Sequence, residues 1–395
     1  MSGIDCASVH SAVNDAQGIG RPAHPTFTDL VAAPTSQWAV LHANAIEHNG
    51  YYDPAWAIPV ARHARGRGGA QALLAWDQAH NDRLIGLMPV RWSRKALRLP
   101  APMLVAWSGY APLTVPLLHR DCATRAAGAL LDAARQSGAC ALFLPSIATD
   151  GAAFAAIQSA LSERSLSAEI LRNYKRAGLD ATQDAGTALR SALGAKKLKE
   201  LRRQRRRLED SSALVFEVSS TPAEVAEALE AFLVLEQKGW KGLRGTALGQ
   251  DAGEATFIRK ASAALAAEGR FQIFSLKRAE ALIAAGLVLR DADRAYFFKI
   301  TRDEDESRHS PGVQLTLDIT RHLCADPRVT FVDSSADGDH PMIDHVWRER
   351  AAIADVFIPL RPGDPLAYAA RTLVLARYAA VDFVKALQRL REKYT

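Results

Sequence analysis

Three residues able to move protons lie close together in this chain: Asp333, His340 and His345. Asp333 closes the apolar run 329–332, a strand-end position that suits either an active-site carboxylate or a simple cap. Histidine is the side chain best suited to exchange protons near neutral pH, which makes His340 a general-base candidate, although His340-Pro341 also reads as the start of a helix. His345 reads as structural. Upstream, residues 295–300 have the composition of a buried strand, and the charged loop 302–306 leads into the turn Arg308-His309-Ser310-Pro311-Gly312. A helix over 313–324 would then present backbone N–H groups at its start, which is an anion site. Pro311 has no N–H, so the donors would be Gly312, Val313, Gln314 and Leu315, with Arg308 as charge partner. The pattern here has two readings. Val313, Leu315, Leu317 and Ile319 alternate as in a strand, while Leu315, Ile319 and Leu323 fit a helical stripe.

The rest of the chain must position these groups. Its 395 residues, 48% hydrophobic and 23% charged, describe a globular protein of two or three domains. No apolar run approaches membrane-spanning length, no basic-then-apolar leader opens the chain, and the cytoplasm is the default compartment. Cys6, Cys122, Cys140 and Cys324 form neither a disulfide framework nor a metal pattern, so no metal is expected. The net charge of +6 is uneven: residues 190–208 hold nine cations against Glu200 alone, so the remainder sums to −2. That basic helix reads as a solvated connector whose charges meet an acidic neighbour, with nucleic-acid phosphates or anionic lipid as alternatives.

In chain order, a helix over 36–47 and a Pro-bounded aromatic loop over 51–59 precede strands at 71–76 and 84–92, joined at Asn81-Asp82-Arg83. A further run at 97–107, a helix at 123–136, a strand at 139–144, a helix at 152–163 and a strand at 168–171 follow. The second half repeats the order: strands 271–276, 282–289 and 295–300, the helix after Gly312, the strand 329–332, a helix near 345–350 and a strand at 354–358. The turns Asp150-Gly151 and Asp337-Gly338 fall in equivalent places, which points to duplication of architecture. Thr221-Pro222-Ala223-Glu224 opens a helix, and an amphipathic helix follows Pro365.

Ser310-Pro311-Gly312 before an apolar helix resembles the acyl-CoA loop of the CelD-like branch of the GNAT acetyltransferases. The run Leu235-Glu236-Gln237-Lys238-Gly239-Trp240-Lys241-Gly242-Leu243-Arg244-Gly245-Thr246-Ala247-Leu248 is similar to that branch's second signature. The resemblance covers roughly 185–360. It implies an α/β (α+β) chain of two tandem GNAT-like domains with mixed, mostly antiparallel sheets flanked by helices. The expected segments are a poorly ordered 1–30, a degenerate first domain 31–185, the basic helix 186–210, the catalytic domain 211–362 and a terminal helix 363–395. The first copy has Tyr110-Ala111-Pro112-Leu113 where the second has the Ser-Pro-Gly turn, so one working site is expected.

The implied activity is transfer of an acetyl or similar group from acetyl-CoA to an amine or hydroxyl of a saccharide-related or other small molecule, in polysaccharide biosynthesis. Strand amides near Lys299, Ile300 and Thr301 would polarise the thioester carbonyl, the turn from Ser310 would hold the pyrophosphate, and Trp240, Lys241 and Arg244 would line the acceptor pocket. Where the family often has a Tyr-Lys pair, this chain has Asp339-His340-Pro341-Met342, so an acceptor contact made there does not transfer. Two rivals remain: a FemAB-type aminoacyl transferase, which shares the tandem architecture and uses aminoacyl-tRNA, and a non-catalytic scaffold or regulator.

Overall fold

The computed structural model describes residues 24–77, 82–110, 112–210 and 212–394, with side chains to 388. Most of the segment expected to be poorly ordered, and the turn residue Asn81, lie outside the described residues, as do Ala111 and the side chain of Arg391. The first half supplies β1 (Phe27–Asp29), β2 (Gln71–Asp77), β3 (Arg83–Trp92), β4 (Met103–Ala106), β5 (Leu117–Leu118), β6 (Ala141–Ala148) and β7 (Glu169–Asp180). The second half supplies β8 (Leu214–Ser219), β9 (Phe271–Arg278), β10 (Ala281–Asp291), β11 (Arg294–Arg302), β12 (Phe331–Asp333) and β13 (Glu349–Pro359). Helices of the first half are α1 (Thr35–Ala43), α2 (Pro54–His63), α3 (Ser93–Ala96), α4 (Ala123–Gln136) and α5 (Ala152–Ser162). The kinked α6 (Ala185–Glu209) then leads to α7 (Pro222–Lys238), α8 (Trp240–Leu243), α9 (Ala252–Ala267), α10 (Pro311–Cys324), α11 (Ile343–Val346) and α12 (Pro365–Tyr394).

All thirteen strands form one mixed, largely antiparallel sheet in the order β1-β2-β3-β4-β6-β13-β7-β12-β11-β10-β9-β8, with β5 beside β3. Helices flank both faces, as expected for tandem GNAT-like copies. Each copy contributes an antiparallel meander ending in one parallel pair, β4 with β6 and β11 with β12. The last strand of each copy then crosses over. β7 pairs with β12, β13 pairs with β6, and β7 and β13 pair with each other at the centre. Every copy is thus completed by the other's final strand.

Side-chain alternation divides the core. On β6, Leu142 and Leu144 face a cluster that runs across both copies and takes in α4, α5, α7 and α9. Their neighbours Ala141 and Phe143 face α12 instead, while α6 and α10 cover the second copy on that side. Three sequence expectations change. The helix expected near 345–350 is the single turn α11, which ends at Val346, and Glu349 and Arg350 already belong to β13. Residues 51–59 are not a loop throughout: Pro54 opens α2, with the Asp53 carboxylate capping the Ala55 N–H at 2.6 Å, and Pro59 lies inside the helix. The run 97–107 yields strand only at β4, and α9 was not anticipated.

Candidate active site

The site forms where β11 and β12 part. Their parallel pairing covers Arg294–Tyr296 on β11 and stops at Tyr296 opposite Asp333, while β11 continues along β10 to Arg302. The Asp303 N–H donates to Ile283 C=O, towards β10. Strand alternation therefore turns the amides of Ile300 and Arg302 the other way, into the splay. Lys241 confirms this direction, since its Nζ donates to the Ile300 carbonyl at 2.7 Å. The cleft holds a cavity of about 290 Å³ lined by Trp240, Lys241, Ile300, Thr301, Gly312 and His340, among others. A second cavity of about 640 Å³, reached past Arg302, Pro341 and Met342, brings in Ser310, Val313 and Lys197. The two flank the start of α10.

The corresponding cleft in the first copy is closed. β4 and β6 part after Val105 and Phe143, and the following loop is stitched into the gap by Thr114. Its N–H reaches Ser146 C=O at 3.2 Å, and its hydroxyl reaches Pro145 C=O at 2.6 Å.

One wall of the open cleft is ionic. Glu236, fully buried near the end of α7, accepts from Lys299 Nζ at 2.8 Å, Lys241 Nζ at 3.2 Å and the Leu248 N–H at 2.8 Å. Burial pulls the Lys241 pKa below its usual value and the Lys299 charge adds to this, with Glu236 opposing both. When neutral, Lys241 can spend two protons on Glu236 and Ile300 C=O and still turn its lone pair to the cavity. Gly242 lets the chain turn tightly here, because a Cβ there would lie 1.8 Å from the Gln237 carbonyl oxygen. Trp240 stands at the mouth, 47% exposed, with the Arg244 guanidinium 5.1 Å from its ring.

The start of α10 differs from the expected phosphate cradle. Ser310 adopts a left-handed conformation (φ 53°), and its carbonyl takes the amides of Val313 and Gln314 at 2.9 and 3.0 Å. Leu315 lies inside the helical ladder, which leaves the Gly312 amide as the first-turn donor available to a ligand. The Gln314 side chain is spent on the Leu201 carbonyl, and Leu315 is buried in the core. Arg308 is exposed and outside both cavities. The loop before the helix carries Asp303, Glu304, Asp305 and Glu306, of which Glu304 lines the first cavity.

Of the proton-transfer candidates, the cleft takes in His340 and not Asp333. His340 is half-buried, and its Nδ1 accepts from the Met342 and Ile343 N–H groups at 3.3 and 3.4 Å. Asp333 accepts from the Ser335 N–H at 2.7 Å and faces the fully buried Arg176 guanidinium at 3.4 Å. Arg176 also donates to the carbonyls of Ala336 and Pro112, tying the loops of both copies together. His345 is exposed beside the second cavity. Sequence reasoning missed Glu236, although it stands within the quoted run before Trp240.

The basic helix connects the copies and meets an acidic neighbour on α10. Past its kink at Gly194, α6 buries Leu198, Leu201 and Leu208, receives the Gln314 bond, and pairs Arg205 with Asp318 of α10 at 2.7 Å. Lys196, Lys197, Lys199, Arg202, Arg203, Arg206 and Arg207 remain exposed. Among the described residues, only Arg203 of these seven has a carboxylate partner, Glu200.

The expectation that metal plays no part is corrected by a second site. His42, His48 and Asp291 come together with ligand atoms all within 4.8 Å of one another. Spacing could not reveal the set, because its members come from α1, the loop after it and the end of β10.

Residues 195–340 match the family model of the acetyltransferase (GNAT) domain. The chain has a GNAT-superfamily acetyltransferase fold, and the domain supports a transferase activity. Among solved structures it is similar to FemX, at 11% identity and TM-score 0.55 over 86% of this chain and 98% of that one. It is also similar to the C-terminal domain of a putative lysylphosphatidylglycerol synthetase from Agrobacterium fabrum, at 12% identity and TM-score 0.54 over 86% and 95%. No curated protein matches the chain. No helix among the described residues is long and apolar enough to cross a membrane.

Proposed function

We propose that the chain transfers an aminoacyl group from aminoacyl-tRNA to an amine or hydroxyl of a small-molecule or saccharide-related acceptor. One observation carries this reading: α6 is fixed along α10, lines the second cavity with Lys197, and holds seven exposed cations along its length. Such a surface suits a polyanion that delivers its reactive end to the splay. The acidic loop and the occupied amides of α10 weigh against a pyrophosphate at the helix start. One similar solved structure is named for making lysylphosphatidylglycerol, itself an aminoacyl ester, though its likeness to this chain is one of fold.

In this reading the ester carbonyl enters the splay with its oxygen towards the Ile300 amide, which stabilises the tetrahedral oxyanion. Burial and the Lys299 charge favour the neutral form of Lys241, and in that form it takes the proton of the acceptor as the acceptor attacks the carbonyl carbon. As the C–O bond to the ribose breaks, that proton passes to the leaving oxygen. Glu236 holds the Lys241 side chain in place, and Trp240 shields the mouth. The acyl-CoA reading, with its CelD-like resemblance, has the acetyltransferase model over 195–340 in its favour. It would rest on the Gly312 amide with Arg302 and Lys197.

Fluorescence anisotropy with labelled tRNA across a salt series tests the proposal. Affinity should fall steeply with salt. Changing Arg202, Arg203, Arg206 and Arg207 together to Glu should abolish binding or reduce the log–log slope by up to about 0.9 for each phosphate no longer neutralised. Binding that ignores those four changes, or no binding at low salt, would overturn it.

A further inference from the structure

His42 on α1, His48 in the following loop and Asp291 at the end of β10 meet across the boundary between the two copies. His42 Nε2 lies 3.0 Å from Asp291 Oδ2, and His48 Nδ1 lies 3.5 Å from Asp291 Oδ1. These close approaches are ionic and miss hydrogen-bond geometry, so His42 Nε2, His48 Nδ1 and Asp291 Oδ2 are buried without a well-formed hydrogen bond. Buried polar atoms are rarely left so, and one ion bound by all three residues would satisfy them together. Each imidazole meets its own oxygen of the carboxylate, and one ligand atom from each of the three residues lies within 4.8 Å of the other two, close enough for small side-chain shifts to gather them around one ion.

The surroundings complete the pattern. The other ring nitrogen of His42, Nδ1, lies 3.3 Å from Asp53 Oδ2, the carboxylate–histidine arrangement that orients a metal-bound imidazole through its remote N–H. Asp53 is held in turn by the Arg270 guanidinium at 2.7 Å. Beyond the three ligands, a cavity of about 640 Å³ opens past Ala39, Ile58 and Ala264, with room for water or a small ligand on the ion. We propose that His42, His48 and Asp291 bind one divalent transition-metal ion of the zinc(II) class, clipping the first copy to the second and keeping an open coordination position. Two imidazoles and a carboxylate suit such an ion better than calcium or magnesium, which favour all-oxygen sites.

The test uses the full chain, stripped with a chelator, supplied with zinc(II) and desalted. About one zinc per chain by elemental analysis is expected, with a rise in unfolding temperature on adding zinc. His48→Gln, at the most exposed of the three ligands, should fold yet lose both effects, and Asp291→Asn should do the same. Cobalt(II) in place of zinc should give visible bands of nitrogen and oxygen ligation. Zinc retained equally by His48→Gln, thiolate bands with cobalt, or no zinc after desalting would each overturn the proposal and leave a buried His42–Asp291 ion pair.

Discussion

Glu236→Gln isolates the charge that organises the cleft. The amide keeps the volume of the side chain and can still accept from the Leu248 N–H, so little besides the negative charge is removed. The lysine pairings, at 2.8 and 3.2 Å, each correspond to about 5–6 kcal/mol of attraction at an effective dielectric near 20. Much of that is cancelled by the desolvation of three charged groups. What the variant leaves is two ammonium groups confined in side chains only 17% and 19% exposed. Removing one partner of a buried pair costs about 3–5 kcal/mol. Lys241, whose pKa is already lowered, can shed its proton, so we expect a loss near the lower end, about 3 kcal/mol. Urea unfolding of the wild type, the single variant and Glu236→Gln with Lys241→Met checks this near neutral pH. The double variant removes one of the stranded cations and should recover at least about half of the loss. A single-variant loss under about 1 kcal/mol, or a double variant no more stable than the single, would refute the argument.

Three further outcomes follow from the same geometry. The folded pKa of Lys241 lies below its ordinary 10.5, so the unfolded chain binds more protons between the two values. Stability should therefore rise with pH up to about 10.5 and be lost as pH falls through the folded pKa; in urea unfolding across alkaline pH, Lys241→Met should flatten that slope. Gly242→Ala should destabilise by about 1–3 kcal/mol, since its Cβ meets backbone at 1.8 Å, whereas the nearest neighbours of a Cβ in Gly312→Ala lie at 3.7 Å and that variant should unfold like wild type. Asp333→Asn strips the carboxylate from buried Arg176 and should lower stability by about 3 kcal/mol; a normal unfolding midpoint with turnover abolished would instead mark Asp333 as catalytic.

Much of the fold was legible because local signals agreed with their surroundings. The predicted start at Thr221 carries a full capping box with Glu224, and α4 spans the predicted residues. The ambiguity of 313–324 has a physical source. Packed between the sheet and α6, α10 buries Leu315, Thr316, Leu317, Ile319 and Thr320, so its pattern lacks a clean polar face. The crossing of β7 and β13 was not legible. Their polar stretches around Arg172–Lys175 and Glu349–Arg350 hide strands whose pairing is decided by the opposite copy. The site was legible in part. Trp240, Lys241, Ile300, Gly312 and His340 do meet, but nothing local told that the amides of Val313 and Gln314 would be spent on Ser310. Nor could periodicity show that α6 docks on α10, since Leu198, Leu201 and Leu208 fit any helix with one buried stripe.

The most direct test of the donor compares three ligands on the wild-type chain at one salt concentration: an aminoacylated tRNA, the same tRNA deacylated, and acetyl-CoA. A basic surface alone cannot distinguish the first two, whereas an aminoacyl group held at the Ile300 amide beside Lys241 can. Tighter binding of the aminoacylated form, abolished in Lys241→Met, with no competition from acetyl-CoA, is the predicted result. Equal affinity for the two tRNAs together with saturable acetyl-CoA binding would contradict the account and return the cleft to acyl-CoA.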